Sequence, residues 1–374
     1  MIVRHSLRNT TDLMCRLNSL FVPAALAAFA GLFLASPTWA ESPAKIQPRG
    51  YVVYQTAKAP KIDGKLSDGE WDKIPWSEPF VDIEGTDHPT PPRHQTRMKM
   101  MWDDQALYIA AQLDEPNVWA TLTEHDSVIF YDPDFEVFID PDGDNHMYAE
   151  LELNALNTTW DLLLTMPYKD GGKAVNGWEI IRLKTAVSVN GTLNDPSDVD
   201  QGWTVEIAWP WKGLQELSTA KFPPTDGDRL RIDFSRVEWD VVVENGKTVK
   251  VPNRPEHNWV WSPQGVINMH RPETWGEAFF STQPIGSVKF KPDPARDYKT
   301  LLHSVYYAQK AYFEQHGTYA AELSDLDLES DFLQQIKLTA TPLSFHASIQ
   351  TPKEAGGETW VIDQNSLLQQ QTAE

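Results

Sequence analysis

The stretch Phe130–Asp161, FYDPDFEVFIDPDGDNHMYAELELNALNTTWD, decides the fold. It reads as two strands joined by an acidic turn. Over residues 135–140 the pattern has period two, so Phe135, Val137 and Ile139 share one face while Glu136, Phe138 and Asp140 share the other. After the turn, Ala149, Leu151 and Leu153 alternate with Tyr148, Glu150, Glu152 and Asn154. If the two strands pair, one face enters a core and the other carries Glu136, Glu150, Glu152 and Asn154 side by side. Like charges opposite one another across strands repel. Open solvent, a cation or a hydroxyl-rich ligand is therefore expected over this face. The turn Asp140-Pro-Asp-Gly-Asp-Asn145 is itself dense in oxygen ligands.

On either side of this stretch, from Tyr51 to about Phe290, short apolar runs are separated by Pro, Gly, Asn and Asp clusters. That pattern predicts an all-β fold, an immunoglobulin-like or jelly-roll-type antiparallel β-sandwich. Arg97–Trp102 alternates, and Ala106–Leu113 reads as a buried strand paired to it through Asp103-Asp104. Trp203, Val205, Ile207 and Trp209 alternate with polar residues. Leu230, Ile232 and Phe234 alternate until the phase slips by one, with Val237 and Trp239 continuing it, which predicts a β-bulge near Ser235. No helix of three turns is expected before residue 290. Lys291-Pro-Asp-Pro294 then reads as a linker, and Arg296–His316 has helical spacing stopped by Gly317. The organisation expected is a sandwich over 41–290 and a small α or α+β appendage over 291–374.

The N-terminus reads as an export signal. Leu20–Ala35 is apolar apart from Pro23, and Thr38-Trp39-Ala40 supplies a small-x-small cleavage site before Glu41. A long segment precedes the apolar run, which suggests Met14 as an alternative start. The single cysteine, Cys15, lies in this leader, so the processed chain has no disulfide, thiolate nucleophile or cysteine metal site. The net charge is −21, and removing residues 1–40 takes away three Arg and one Asp, leaving −23. This balance excludes nucleic acid and anionic membrane as partners. A periplasmic or secreted protein with no membrane span after cleavage is expected.

Several pieces in a fixed order resemble the family 9 carbohydrate-binding modules over roughly residues 51–285. They are Pro60-Lys-Ile-Asp-Gly64 with Trp71, Met101-Trp-Asp-Asp followed by Ala106-Leu-Tyr-Ile109, and Asp134-Phe-Glu-Val-Phe-Ile-Asp140. Glu150-Leu-Glu-Leu-Asn154, Gly202-Trp-Thr-Val-Glu206, and Val260-Trp-Ser-Pro263 before Trp275-Gly276 complete the set. The resemblance implies a sandwich that binds saccharides, often beside glycoside hydrolases, with structural calcium. It puts Glu136 and Asn154 where sugar-binding members place polar contacts. Those members clamp the sugar between two tryptophans; here the positions fall on Phe130 or Tyr131 and on Met269 or His270, and an arginine contact becomes Glu152.

A sugar presents apolar C–H faces and hydroxyl rims, so aromatic platforms beside carboxylates and amides are the sought pattern. Phe130 and Tyr131, set among polar turn residues just before the acidic strand, fit it. Most of the thirteen tryptophans between Trp71 and Trp275 are expected in the core. Asp140, Asp142 and Asp144 recur at every second position, like the start of a calcium loop, although Gly143 falls off the EF-hand pattern. Arg271, next to His270, has the chemistry to bond a carboxylate or sulfate, or to pair with neighbouring acids. The candidate site is thus Phe130, Tyr131, Glu136, Glu150, Glu152, Asn154, Met269, His270 and Arg271, with calcium at Asp140, Asp142 and Asp144. The leading expectation is a non-catalytic saccharide-binding protein of polysaccharide catabolism. Two other classes stay open: a glycoside hydrolase using two of the clustered carboxylates, and an exported haem protein with Met269 or His270 as axial ligand.

Overall fold

The computed structural model describes residues 46–328 and 333–371. The leader, its cleavage site and Met14 lie outside the described residues. The strands in chain order are β1 Gly50–Gln55, β2 Val81–Asp82, β3 Thr96–Trp102, β4 Ala106–Asp114, β5 Asp134–Asp140, β6 Tyr148–Asn154, β7 Thr159–Leu164, β8 Ala174–Val175, β9 Lys184–Asn190 and β10 Gly202–Pro210. They continue as β11 Arg229–Glu238, β12 Val241–Glu244, β13 Lys247–Lys250, β14 His257–Val260, β15 Gly276–Ser281, β16 Ile336–Thr341, β17 Ser344–Gln350, β18 Thr359–Asp363 and β19 Leu368–Gln371. The helices are α1 Gly69–Asp72, α2 Trp211–Gln215 and α3 Arg296–His316.

One curled sheet runs β8-β7-β6-β5-β11-β15-β1-β3-β4-β10-β9, with β14 and β2 branching from β11. Most neighbours are antiparallel, but β1 runs parallel to both β15 and β3. The sheet curls over into a sandwich. Phe135, Val137, Ile139, Leu151 and Leu153 from one layer share a core with Met98, Met100, Leu107, Ile109, Trp203, Val205 and Ile207 from the other. Tryptophans fill it as expected: Trp71, Trp102, Trp203, Trp209, Trp211, Trp259 and Trp261 are all buried there.

The phase slip near Ser235 is not a bulge. Strand β11 is continuous, pairing β15 through Arg229–Ile232 and β14 through Ser235–Glu238. The residue that breaks the apolar pattern is Arg236, which occupies the next inward position. Its guanidinium is buried against Glu115 at 2.7 Å and Glu238 at 2.6 Å. A paired charge at a core position imitates a register slip in sequence.

The C-terminal part is α+β. Helix α3 packs on β17 and β18 of an antiparallel sheet ordered β16-β17-β18-β19. Leu302, Val305 and Tyr306 of α3 meet Phe345, Ala347, Ile349 and Ile362 in a second core. The helix ends at Gly317, whose positive φ of 72° turns its N–H back to the Phe313 carbonyl. This layer is bonded to the sandwich. Arg296 pairs with Glu277, the Asn145 amide donates to the Ser366 carbonyl at 2.7 Å, and the Tyr306 hydroxyl donates to Asp170 at 2.6 Å.

Candidate functional site

The acidic face exists in the register read from sequence. Strands β5 and β6 pair antiparallel with Glu136 directly opposite Glu152, Asp134 opposite Asn154 and Phe138 opposite Glu150. Strand β11 lies on the other side of β5, placing Ser235 against Glu136. Of the three covers expected, open solvent is not what forms. Asp134, Glu136, Glu150 and Glu152 are each no more than 6% exposed. Phe138, Tyr148, Leu162, Leu164 and Trp275 make an apolar cluster on the same side. The 129–131 turn rests on β6, with the Phe130 N–H donating to Glu152 Oε2 at 3.0 Å.

Burial and mutual repulsion act together on these acids. Desolvation drives the carboxyls of Asp134, Glu150 and Glu152 well above the usual range, and their nearness to one another and to Glu136 adds to it. Burial pushes Glu136 up to about 7. Among the described residues no Lys, Arg or His lies within ion-pair distance of the four. Lys250 is attracted by Asp132, Glu256 and Asp134, and its ammonium sits 3.4 Å from the Trp239 ring centroid, with Tyr131 at 5.6 Å.

Two half-exposed tyrosines border this floor. Tyr131 is 55% exposed and leans on Phe130, with ring centroids 4.9 Å apart. Tyr168 is 48% exposed, and its hydroxyl is pushed up to about 12 by burial and then by Glu150 and Glu152. Tyr168 was not legible as a site residue. It stands fourteen residues beyond Asn154 in the Met166-Pro-Tyr168 loop, and only the strand return through β7 brings it back to the acids.

Other expected contacts have different partners. Asn154 is fully buried: its amide donates to Leu122 O and Asp132, and its carbonyl oxygen accepts from Leu156 and Thr158 N–H. It anchors the 118–132 loop and has no hydrogen-bonding group left for a ligand. Arg271 is likewise engaged within the protein. Its Nε donates to the Tyr307 hydroxyl of α3 and to Glu273, so the pairing with neighbouring acid is the role observed. Met269 packs on the apolar cluster. His270 stacks edge-on to Tyr168 at 4.5 Å, and its Nδ1 lies 3.0 Å from the Tyr148 hydroxyl. Burial lowers the His270 imidazole to about 4, so it is neutral at ordinary pH.

The turn Asp140–Asp144 gathers carboxylate oxygens of Asp140, Asp142 and Asp144 within 4.8 Å of one another. Burial, then Asp140 and Asp142, push Asp144 up to about 7. This repulsion fits a hard cation. Arg231 offsets part of it, reaching Asp140 at 3.3 Å, and Gly143 and Asn145 N–H also bond Asp140. Asp142 and Asp144 would supply the oxygens least engaged elsewhere, and a calcium ion there would fix the turn against β19, whose Leu368 N–H donates to Asp144 O.

The pattern described as carbohydrate family 9 binding domain-like matches residues 62–259. The chain belongs to this family. Among curated proteins it is similar to the exoglucanase XynX of Acetivibrio thermocellus, 29% identical over 160 residues, and to endo-1,4-beta-xylanase A of Thermoanaerobacterium saccharolyticum, 24% identical over 231 residues. The matched stretches are 42% and 62% of this chain but only 12% and 16% of those enzymes. A solved family 9 module from Caldicellulosiruptor kristjanssonii in complex with cellotriose shares 18% identity, covering 65% of this chain and all of that one, with a TM-score of 0.38.

The family 9 pieces outside β5 and β6 serve as scaffold. Glu206 of β10 accepts from the Trp71 indole at 2.7 Å and from the N–H groups of Asp63 and Gly64, so three separated pieces meet on one carboxylate. Asp103 holds the β3–β4 hairpin by accepting from Gln105 and Ala106 N–H and from the Tyr108 hydroxyl. Buried Asp233 accepts from Ser262 N–H and the Gln264 amide, fixing the Trp261-Ser-Pro263 piece.

Proposed function

We propose that this family 9 protein is an exported, non-catalytic saccharide-binding protein that acts beside glycoside hydrolases. The observation that carries the reading is the carboxylate floor of β5 and β6 bordered by the half-exposed Tyr131 and Tyr168. A pyranose offers apolar C–H faces to such rings and hydroxyl donors to the slightly exposed edges of Glu136 and Glu150. Export to the periplasm or medium rests on the leader and the absence of cysteine beyond it, and no described helix is long and apolar enough to cross a membrane. The curated relatives, an exoglucanase and a xylanase of far greater length, support partnership with enzymes of that class. Calcium at Asp140, Asp142 and Asp144 belongs to the same reading.

Isothermal titration of the processed chain against a panel of neutral, acidic and amino oligosaccharides tests it. Binding without turnover is expected, and Tyr131→Ala and Tyr168→Ala should each weaken it by about tenfold. Absence of binding across the whole panel would refute it, as would product release from any glycan. Sequencing the exported protein should find Glu41 at the N-terminus.

A further inference from the structure

We infer that Asp134, Glu136 and Glu152 form a divalent-cation site of their own, distinct from the Asp140 turn. One carboxylate oxygen from each of the three lies within 4.8 Å of the others. A calcium ion binds oxygens at roughly 2.3–2.6 Å, so two of its ligands are separated by at most about twice that distance. The spacing suits a single ion shared by all three.

The second observation is an orphan atom. Asp134 is completely buried, and its Oδ1 accepts from the Val237 N–H at 3.0 Å. Its Oδ2 is buried with no hydrogen-bond partner. A buried acceptor left unpaired costs about 1–3 kcal/mol, more when charged. Glu136 and Glu152 stand directly opposite each other in the β5–β6 register, where like charges destabilise pairing. Glu152 Oε2 takes the Phe130 N–H, and no cationic side chain pairs with any of the three among the described residues. Lys250, which feels the charge of Asp134, is held over the Trp239 ring. A cation at this point satisfies the orphan oxygen and relieves the repulsion at once. Its ligands come from two adjacent strands rather than from a loop, so the site is rigid before the ion arrives.

The site is tested on the processed full chain after chelator treatment and in the absence of any sugar. Its outcome is therefore independent of the saccharide reading. Terbium luminescence excited through tryptophan reports binding, because Trp160 lies across the strand from Glu152. Calcium should displace the terbium. A background carrying Asp142→Asn and Asp144→Asn removes the turn as a competing site. In that background a bound ion should remain, and Glu152→Gln and Asp134→Asn should each weaken its binding by at least about tenfold. Both substitutions keep an acceptor for the Phe130 or Val237 N–H, and circular dichroism checks that each variant is folded. The inference is overturned if no terbium or calcium binds in that background. It is equally overturned if folded Glu152→Gln binds as tightly as its parent, a result that would mean the three acids are neutralised by shared protons instead.

Discussion

At the scale of single residues, the Glu136–Glu152 pair is where this chain departs most from ordinary strand chemistry. Period-two alternation was enough to place both acids on one face, and the structure puts them in direct register. What alternation could not supply is the cover over them. That cover comes from residues 129–131, Tyr168 and Trp275, brought in by turns and strand returns that leave no local periodic signal. The cover has a consequence for pH. An unfolded glutamate titrates near 4.3, whereas burial holds Glu136 at about 7. Between those values the folded protein keeps a proton that the unfolded chain releases, so this contribution to stability is complete below about pH 4.3 and is lost as pH rises through about 7. Asp144 and Asp140, raised to about 7 and about 6, act in the same direction. In chelator-containing buffer the melting temperature should fall between about pH 5 and about pH 8. Glu152→Gln should flatten that fall and raise stability at the alkaline end by removing the opposed charge. A melting temperature that climbs across the window would show that other groups dominate.

At the scale of elements, strands β3, β4, β5, β6, β10 and β11, the α3 helix and the β3–β4 hairpin were readable because each carries its own periodicity, whereas the short strands such as β2, β8, β12 and β13 carry none. The family 9 pieces were readable as a set but not in their purpose. Lys61-Ile-Asp-Gly64, Trp71 and the Gly202–Glu206 strand look like separate motifs until Glu206 is seen to bond the Trp71 indole and two backbone N–H groups. The carboxylate ties the 61–64 turn and α1 onto β10. Glu206→Ala leaves one buried indole N–H and two backbone donors without their acceptor, and should destabilise the protein by about 3–5 kcal/mol in denaturant titration. Glu206→Gln, which retains one acceptor oxygen, should cost less. Equal losses for the two would mean that charge, rather than hydrogen bonding, sets the contribution. Arg236 shows the opposite limit of reading by pattern: a charge inside the core, paired with Glu115 and Glu238, has the appearance of a shifted register.

At the scale of the whole molecule, the C-terminal layer belongs with the loops it covers. Arg271, a candidate site residue, faces Tyr307 of α3, and Asn145 of the acidic turn reaches Ser366. Pairing across more than thirty or two hundred residues is invisible to local spacing, which is why these side chains looked free to meet a ligand. Asp170 is the joint of this contact. It accepts from the hydroxyls of Tyr306 and Ser366 at 2.6 and 2.7 Å, and Lys310 stands 3.1 Å away. Its side chain has no solvent exposure. Three groups from the C-terminal layer therefore converge on one buried carboxylate of the sandwich. Asp170→Ala removes that acceptor while leaving the cores of both layers intact, so the loss should fall on the contact between them. Hydrogen exchange should accelerate through α3 and β19 with little change in β3, β4 and β10, and overall stability should drop by about 2–4 kcal/mol. Saccharide binding at Tyr131 should persist, because that tyrosine approaches the acids from the 129–131 turn and makes no bond to α3. Uniformly faster exchange across both layers would instead mean that the sandwich and the C-terminal layer unfold as one cooperative unit.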